Sequence, residues 1–249
     1  MNNMKRLDIF LVENDFFNSR NKANEAIKNR NIKVDGKIID KPSFKIKNSE
    51  KIEVLEKKRY VSRAGDKLKE FLKDKDIEIN NKICLDVGSS TGGFVQVLLE
   101  MNAEKIYAVD VGKGQLHPIL KENKKIISKE SQDIRKLKCK KKFDLVTCDV
   151  SFISILYILN SLINFAKNEI IILFKPQFEV GKNVKRDKRG VVKDTNALKR
   201  ACIKFESELI KYKLQIISKE ESKIKGKEGN SEFFYYLKNL NSKVKAYEK

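Results

Sequence analysis

The sequence predicts an α/β protein, a parallel sheet flanked by helices, preceded by a small α+β module. From Lys82 onward, short apolar runs alternate with amphipathic stretches, the order that strands and crossover helices take in a parallel sheet. Ahead of this, two short apolar runs flank Asp35-Gly36, a hairpin signal because both residues tolerate positive φ. The basic run Lys57-Lys58-Arg59 marks the change of character, and 249 residues suffice for two domains.

In the small module, Leu7, Phe10 and Leu11 share one helical face over residues 6–13, and Ala23, Ala26 and Ile27 another over 19–29. Ile32–Val34 and Lys37–Ile39 are the hairpin arms, and Lys51–Leu55 alternates into a further strand. In the larger part the expected strands are Ile83–Val87, Lys105–Val109, Ile126–Lys129, Leu145–Asp149, Glu169–Lys175, Leu214–Glu220 and Phe233–Leu237. Helices are expected over Lys67–Lys73, Gly92–Met101, Leu116–Asn123, Ile155–Lys167 and Asp194–Tyr212, with Asp194 capping the last. The domains are expected at 5–56 and 63–240, joined by a basic linker at 57–62 and followed by a tail at 241–249.

Several function classes fall away on composition. No run of about 18 uncharged apolar residues occurs, which argues against a membrane-spanning helix, and the start lacks the pattern of a secretory signal peptide. Four isolated cysteines and one histidine offer no zinc spacing, so no metal site is expected and a reducing cytoplasm is the expected location. The net charge of +20 favours a polyanionic partner. Lysine outnumbers arginine 45 to 9, which an AT-rich coding bias also produces, so placement carries more than the total. Lys121–Lys142 holds ten basic and three acidic residues, and Lys175–Arg200 nine and three. In the small module the basic residues include Arg6, Arg20, Lys22, Lys28, Arg30 and Lys33.

Cys84-Leu85-Asp86-Val87-Gly88-Ser89-Ser90-Thr91-Gly92-Gly93-Phe94 is a strand entering a glycine loop and then a helix. Small residues let a ligand approach the backbone, and the helix start presents free amides. A dinucleotide fingerprint would need glycine at Ser90, and a phosphate-binding P-loop would need Gly-Lys-Ser/Thr, which is absent. Asp110 ends the next strand some 22 residues past Gly88, where a carboxylate can accept from a ribose diol. Asp133, one βα unit further, can accept from an adenine amino group. These marks resemble the cofactor region of S-adenosylmethionine-dependent methyltransferases, with Asp86 at the opening acid position.

Longer motifs extend the resemblance. Arg6-Leu7-Asp8, Ser19-Arg20, Ala23, Ala26-Ile27, Val34-Asp35-Gly36 and Ile52-Glu53-Val54 resemble the S-four-type RNA-binding domain, whose helices rest on structured RNA. Asn31 stands where that family commonly has glycine, a change asparagine tolerates because it enters the left-handed region readily. Tyr60–Leu68, Cys148–Ser154, Phe174–Lys182 and Gly229–Phe233 resemble FtsJ-like RNA 2′-O-methyltransferases and, with the small module, the TlyA family of rRNA methyltransferases. The loop has Ser90-Thr91 where FtsJ relatives often have Ala-Pro. The implied fold is a Rossmann-like methyltransferase sheet with helices on both faces.

By this resemblance Lys67, Asp149, Lys175 and Glu232 form a Lys-Asp-Lys-Glu tetrad, and Asp86, Gly88, Ser89, Ser90, Thr91, Gly92, Gly93, Phe94, Asp110 and Asp133 meet S-adenosylmethionine. A ribose hydroxyl is a weak acid and a poor nucleophile, so transfer needs a base and an aligned oxygen. Lys175, at a strand's carboxyl end, is expected to be that base, with Lys67 holding the oxygen and Asp149 and Glu232 orienting the lysines. Phe152 and Phe178 follow the strand-end residues, as stacking partners for a displaced base or as core. The basic loop with Lys182, Lys185, Arg186 and Arg189 is expected to grip RNA. The expected activity is 2′-O-methylation of a cytidine in ribosomal RNA, 23S and in some members also 16S. The partner is rRNA in subunits or ribosomes, with no membrane and no obligate protein partner. The first helix begins close to the chain start, which points to the narrower, large-subunit target. The alternatives are a secreted cytolysin, since relatives are often labelled hemolysins, and a non-catalytic RNA-binding factor.

Overall fold

The computed structural model describes residues 4–55, 60–181 and 183–241, and the chain divides into two compact units, Met1–Arg59 and Tyr60–Lys249. Half of the expected basic linker, residues 57–59, and all but Asn241 of the expected tail lie outside the described residues.

The first unit runs β1 (Lys5–Arg6), α1 (Leu7–Glu13), α2 (Arg20–Lys28), β2 (Ile32–Val34), β3 (Lys37–Ile39), β4 (Lys45–Ile46) and β5 (Ile52–Val54). Both helices bury the faces that their spacing marks, closing Leu7, Leu11, Ala23 and Ile27 over Ile32, Val34 and Ile46. Ser19 caps α2 by accepting from the Lys22 amide. Asp35 and Gly36 take φ of 47° and 76°, the paired left-handed turn that suits a two-residue hairpin. At the preceding turn the left-handed residue is Arg30, at φ 61°, and not Asn31; the asparagine therefore replaces nothing that the turn needs there. The two-residue pair β1–β4 is too short to show any alternation in sequence.

The second unit contains α3 (Arg63–Leu72), β6 (Ile83–Val87), α4 (Gly93–Glu100), β7 (Lys105–Val109), α5 (Pro118–Lys121), β8 (Ile126–Lys129), β9 (Phe143–Cys148), α6 (Leu156–Phe165), β10 (Ala166–Phe174), α7 (Thr195–Lys211), β11 (Leu214–Glu221) and β12 (Phe233–Asn239). The sheet order is β11-β12-β10-β9-β6-β7-β8. Five strands are parallel, as expected, whereas β12 runs antiparallel to both β10 and β11. The cause is connection length: β11 returns into β12 without a crossover helix, and a short return permits only antiparallel pairing. Helices α6 and α7 cover one face, closing on Phe174, Phe205 and Tyr235, while α3 and α4 cover the other through Leu68, Phe71, Phe94 and Leu98.

Helix α3 begins a turn earlier than its apolar spacing shows, because its first turn holds Gly65 where an apolar residue would otherwise announce it. That glycine is required by contact: a Cβ would lie 2.6 Å from Tyr60 Cβ and 3.0 Å from the Gly93 carbonyl oxygen. Gly93 is equally crowded, its Cβ position being 2.2 Å from Ser62 Oγ. The starts of α3 and α4 therefore abut at two glycines, which seats α3 against the head of the glycine loop. Asp194 caps α7 as expected, accepting from the Ala197 amide at 2.9 Å.

Sheet register then sets the site. The ladders end at Val87↔Cys148 between β6 and β9 and at Phe174↔Phe233 between β10 and β12. Gly88, Asp149 and Lys175 are the next residues along three parallel strands, and Glu232 precedes Phe233 on the strand running the other way. All four meet one sheet edge, the carboxyl edge where open α/β sheets hold ligands.

Candidate functional site

A cavity of about 590 Å³ opens at this edge, lined by Gly88, Ser90, Asp110, Gly112, Asp133, Asp149, Ser151 and Phe152 with apolar walls from Val87, Val109 and Ile134. Gly88 is at φ 80°, and a Cβ there would stand 2.6 Å from the Asp149 carbonyl oxygen, so only glycine lets the loop pass the end of β9. Asp110 accepts from the Ser90 amide at 2.8 Å and the Gly112 amide at 2.7 Å, which fixes its carboxylate at the cavity wall. Asp133 is clasped by Arg135, whose Nη2 lies at 2.6 Å, and these hydrogen bonds hold its carboxyl below the usual range.

Of the ten loop and strand-end residues expected around a cofactor, Gly88, Ser90, Asp110 and Asp133 line the cavity, and the other six do not. Gly93 serves the junction with α3, and Phe94 stacks on Phe234 with ring centroids 6.2 Å apart. Gly92 faces Leu120 and Leu116, and the Thr91 carbonyl accepts from the His117 amide. Asp86 is buried, accepting from Thr147 Oγ1 at 2.7 Å, and the Ser89 hydroxyl donates to the Asp86 carbonyl oxygen at 2.9 Å. Burial pushes the Asp86 carboxyl up to about 7, helped by the charges of Asp149 and Asp110. Its Oδ2 has no hydrogen-bond partner.

The four expected tetrad residues form two ion pairs. Lys67 Nζ lies 2.6 Å from Glu232 Oε2, with both side chains more than nine-tenths buried. Lys175 Nζ lies 2.5 Å from Asp149 Oδ1, off the hydrogen-bonding angle, and donates to Ser151 Oγ at 2.8 Å. Gln177, on the turn after Lys175, makes a long 3.5 Å contact from Nε2 to Glu232 Oε1. Asp149 thus belongs both to the cavity and to the Lys175 pair, which places an amine at the cavity's edge. Such a constellation can hold a hydroxyl oxygen and take up its proton. Ser151 and Gln177 lie inside recognisable motifs, but only the fold shows what they touch.

Phe152 is 91% exposed, at φ 65°, and its ring lies 5.2 Å from that of Phe178. An exposed aromatic residue in the left-handed region is strained without the reward of burial. The expectation that it is core is thereby overturned.

The basic residues fare unequally. In the first unit Lys22, Lys28 and Arg30 are exposed and Lys33 is half-buried. Arg6 and Arg20 instead clasp buried Asp8, Arg6 through both Nε and Nη2 and Arg20 through Nε at 2.8 Å. Burial alone would raise the Asp8 carboxyl, but these two guanidinium groups outweigh it and lower it. Lys185 and Arg189 are exposed, whereas Arg186 turns Nη2 onto the carbonyls of Gln177 and Gly181. Lys182 lies outside the described residues.

Family models for the FtsJ-like methyltransferase and the S4 domain match residues 60–239 and 5–52 respectively. The chain is 49% identical to the 23S rRNA (cytidine-2′-O)-methyltransferase TlyA of Campylobacter jejuni, covering 91% of this chain and 97% of that one. It is 35% identical to Hemolysin A of Brachyspira hyodysenteriae, over 93% and 99% of the two chains. Among solved structures, a candidate hemolysin from Streptococcus thermophilus superposes with a TM-score of 0.72 at 29% identity, covering 97% of this chain and 90% of that one.

Proposed function

The chain belongs to the TlyA family, joining an S4 domain to an FtsJ-like methyltransferase domain, and on that premise we propose that it methylates the ribose 2′-oxygen of a cytidine in ribosomal RNA, with S-adenosylmethionine as donor. The observation that carries this reading is the position of Asp149, which lines the cavity and pairs with Lys175 at 2.5 Å. S-adenosylmethionine supplies a methyl group activated by its positive sulfur. The donor set suits it: Asp110 for the ribose hydroxyls, Asp133 for the adenine amino group, and the small residues Gly88 and Ser90 for close approach.

Lys175, as the unprotonated amine, accepts the proton of the 2′-hydroxyl, Lys67 holds the oxygen, and Asp149 and Glu232 orient the two lysine side chains. Phe152, with Phe178 beneath it, offers a face for the displaced cytosine. The S4 unit recognises folded RNA through Lys22, Lys28, Arg30 and Lys33, with the outer edges of Arg6 and Arg20 available to phosphates. Lys185 and Arg189, both exposed, extend the grip. The 49% identity to a 23S enzyme favours the large-subunit RNA as target, within ribosomal subunits in the cytoplasm. Among the described residues no helix is long and apolar enough to cross a membrane.

The test is incubation with labelled S-adenosylmethionine and 23S RNA, 16S RNA or intact subunits, followed by mapping of the labelled nucleotide. Label on the 2′-oxygen of a single 23S cytidine is expected. Absence of transfer to every substrate, or label on a base, overturns the reading.

A further inference from the structure

Lys175 and Glu232 are each the first residue beyond the last ladder pair, Phe174↔Phe233, so no hydrogen bond of the sheet fixes one strand end against the other. A hairpin lies across this gap. It is closed by the bridge Arg186↔Val192, by the Asp187 amide on the Val191 carbonyl at 2.9 Å and by the Lys193 amide on the Lys185 carbonyl at 3.1 Å. Its tip is built by Asp187, whose carboxylate accepts from the amides of Val191 and Arg189 at 2.9 Å each. The Val191 bond is the main reason that this carboxyl sits below its usual range. Val192 is buried, which anchors the hairpin's base.

Two side chains tie the hairpin down, one to each catalytic segment. Arg186 Nη2 donates to the carbonyls of Gln177 at 3.0 Å and Gly181 at 3.2 Å, holding the turn that leaves Lys175. Asn230 Oδ1 accepts from the Val192 amide at 3.1 Å, and Asn230 stands two residues before Glu232. We propose that Arg186 and Asn230 are positioning residues: they fasten the hairpin across the two strand ends and so hold Lys175 and Glu232 in register. Arg186 is then a brace of the site before it is a phosphate contact, while Arg189 at the exposed tip is the RNA contact. This rests on reading Lys175 and Glu232 as catalytic.

The two roles separate in steady-state kinetics on the full chain. Arg186→Ala and Asn230→Ala should each lower kcat at saturating RNA by tenfold or more, with the RNA KM within about threefold and cofactor affinity within twofold. Asn230→Asp keeps the acceptor oxygen and should restore most of the kcat. Arg189→Ala should do the reverse, raising KM and weakening the salt dependence of RNA binding with kcat kept. Hydrogen exchange gives a readout independent of activity. Amides of Phe178 and Glu179 in the turn should exchange faster in Arg186→Ala, and those of Val192 and Ser222, which donates to the Glu232 carbonyl, faster in Asn230→Ala. If wild type transfers no methyl to rRNA, the functional reading fails, and these exchange rates alone decide the brace. Wild-type exchange in both variants, or a raised KM at unchanged kcat, overturns it. Should Arg186→Ala not fold, the contrast between Asn230→Ala and Asn230→Asp decides.

Discussion

Lys67 and Glu232, 165 positions apart in the chain, meet at 2.6 Å with both side chains more than nine-tenths buried. The lysine comes from α3, seated by the glycine junction with α4, and the glutamate from the residue before β12. Removing one partner leaves the other charge buried and unpaired, a loss of about 3–5 kcal/mol. Glu232→Gln and Lys67→Met should therefore both destabilise the chain in denaturant titrations. The double variant Lys67→Met/Glu232→Leu should recover most of that stability and none of the transfer. Single variants as stable as wild type would show that the pair is not buried in solution.

Lys175→Ala should abolish transfer while cofactor affinity stays near wild type, because the lost interaction belongs to the transition state. Lys175→Arg distinguishes a base from a fixed charge, since arginine keeps its proton and its planar fork fits differently. Near-complete loss in single-turnover assays is expected of Lys175→Arg. Robust activity would move the base elsewhere, with Lys67 the next candidate.

Asp110→Ala should weaken S-adenosylmethionine binding by about 1–3 kcal/mol, the usual cost of losing a charged acceptor. The same carboxylate orders the amides of Ser90 and Gly112, so Asp110→Asn, which keeps one acceptor oxygen, should lose less. Calorimetry showing equal affinity for both variants and wild type would remove Asp110 from the cofactor site.

Asp86 makes stability depend on pH with a definite sign. Its folded-state value of about 7 lies above the ordinary 3.8, so between these the folded chain keeps a proton that the unfolded chain releases. Stability then falls as pH rises through that window, by about 4 kcal/mol in all. Asp86→Asn retains the acceptor for Thr147 and removes the titration. Urea titrations at pH 5 and pH 8 should show the variant gaining on wild type at the higher pH. An equal pH dependence in both would mean that Asp86 is solvated.

Phe152→Gly sets stability against function. A non-glycine residue at φ 65° carries strain, and relieving it should stabilise the chain by about 1 kcal/mol. Loss of the exposed ring should nevertheless lower methyl transfer to RNA while cofactor binding is kept. A Phe152→Gly variant with full activity would end the stacking assignment.

Local signals were legible in the sequence because they reside in neighbouring residues. Asp35-Gly36 specifies a hairpin through two positive φ values, Asp194 caps its helix, and the run from Cys84 to Phe94 spells strand, loop and helix by residue type alone. The four tetrad residues could be named from motifs, but motifs carry no partners. That Lys67 meets Glu232 while Lys175 meets Asp149 follows from where each strand's ladder stops and from β12 running against its neighbours. That reversal is a property of the connection after β11, which no periodicity records. Tertiary structure likewise decided which basic residues are free. Arg6, Arg20 and Arg186 read as RNA contacts in a chain of net charge +20, yet each has guanidinium hydrogen bonds to acceptors of the fold. Charge can be counted along the chain, whereas a hydrogen-bond partner exists only once distant segments are brought within 3 Å of one another.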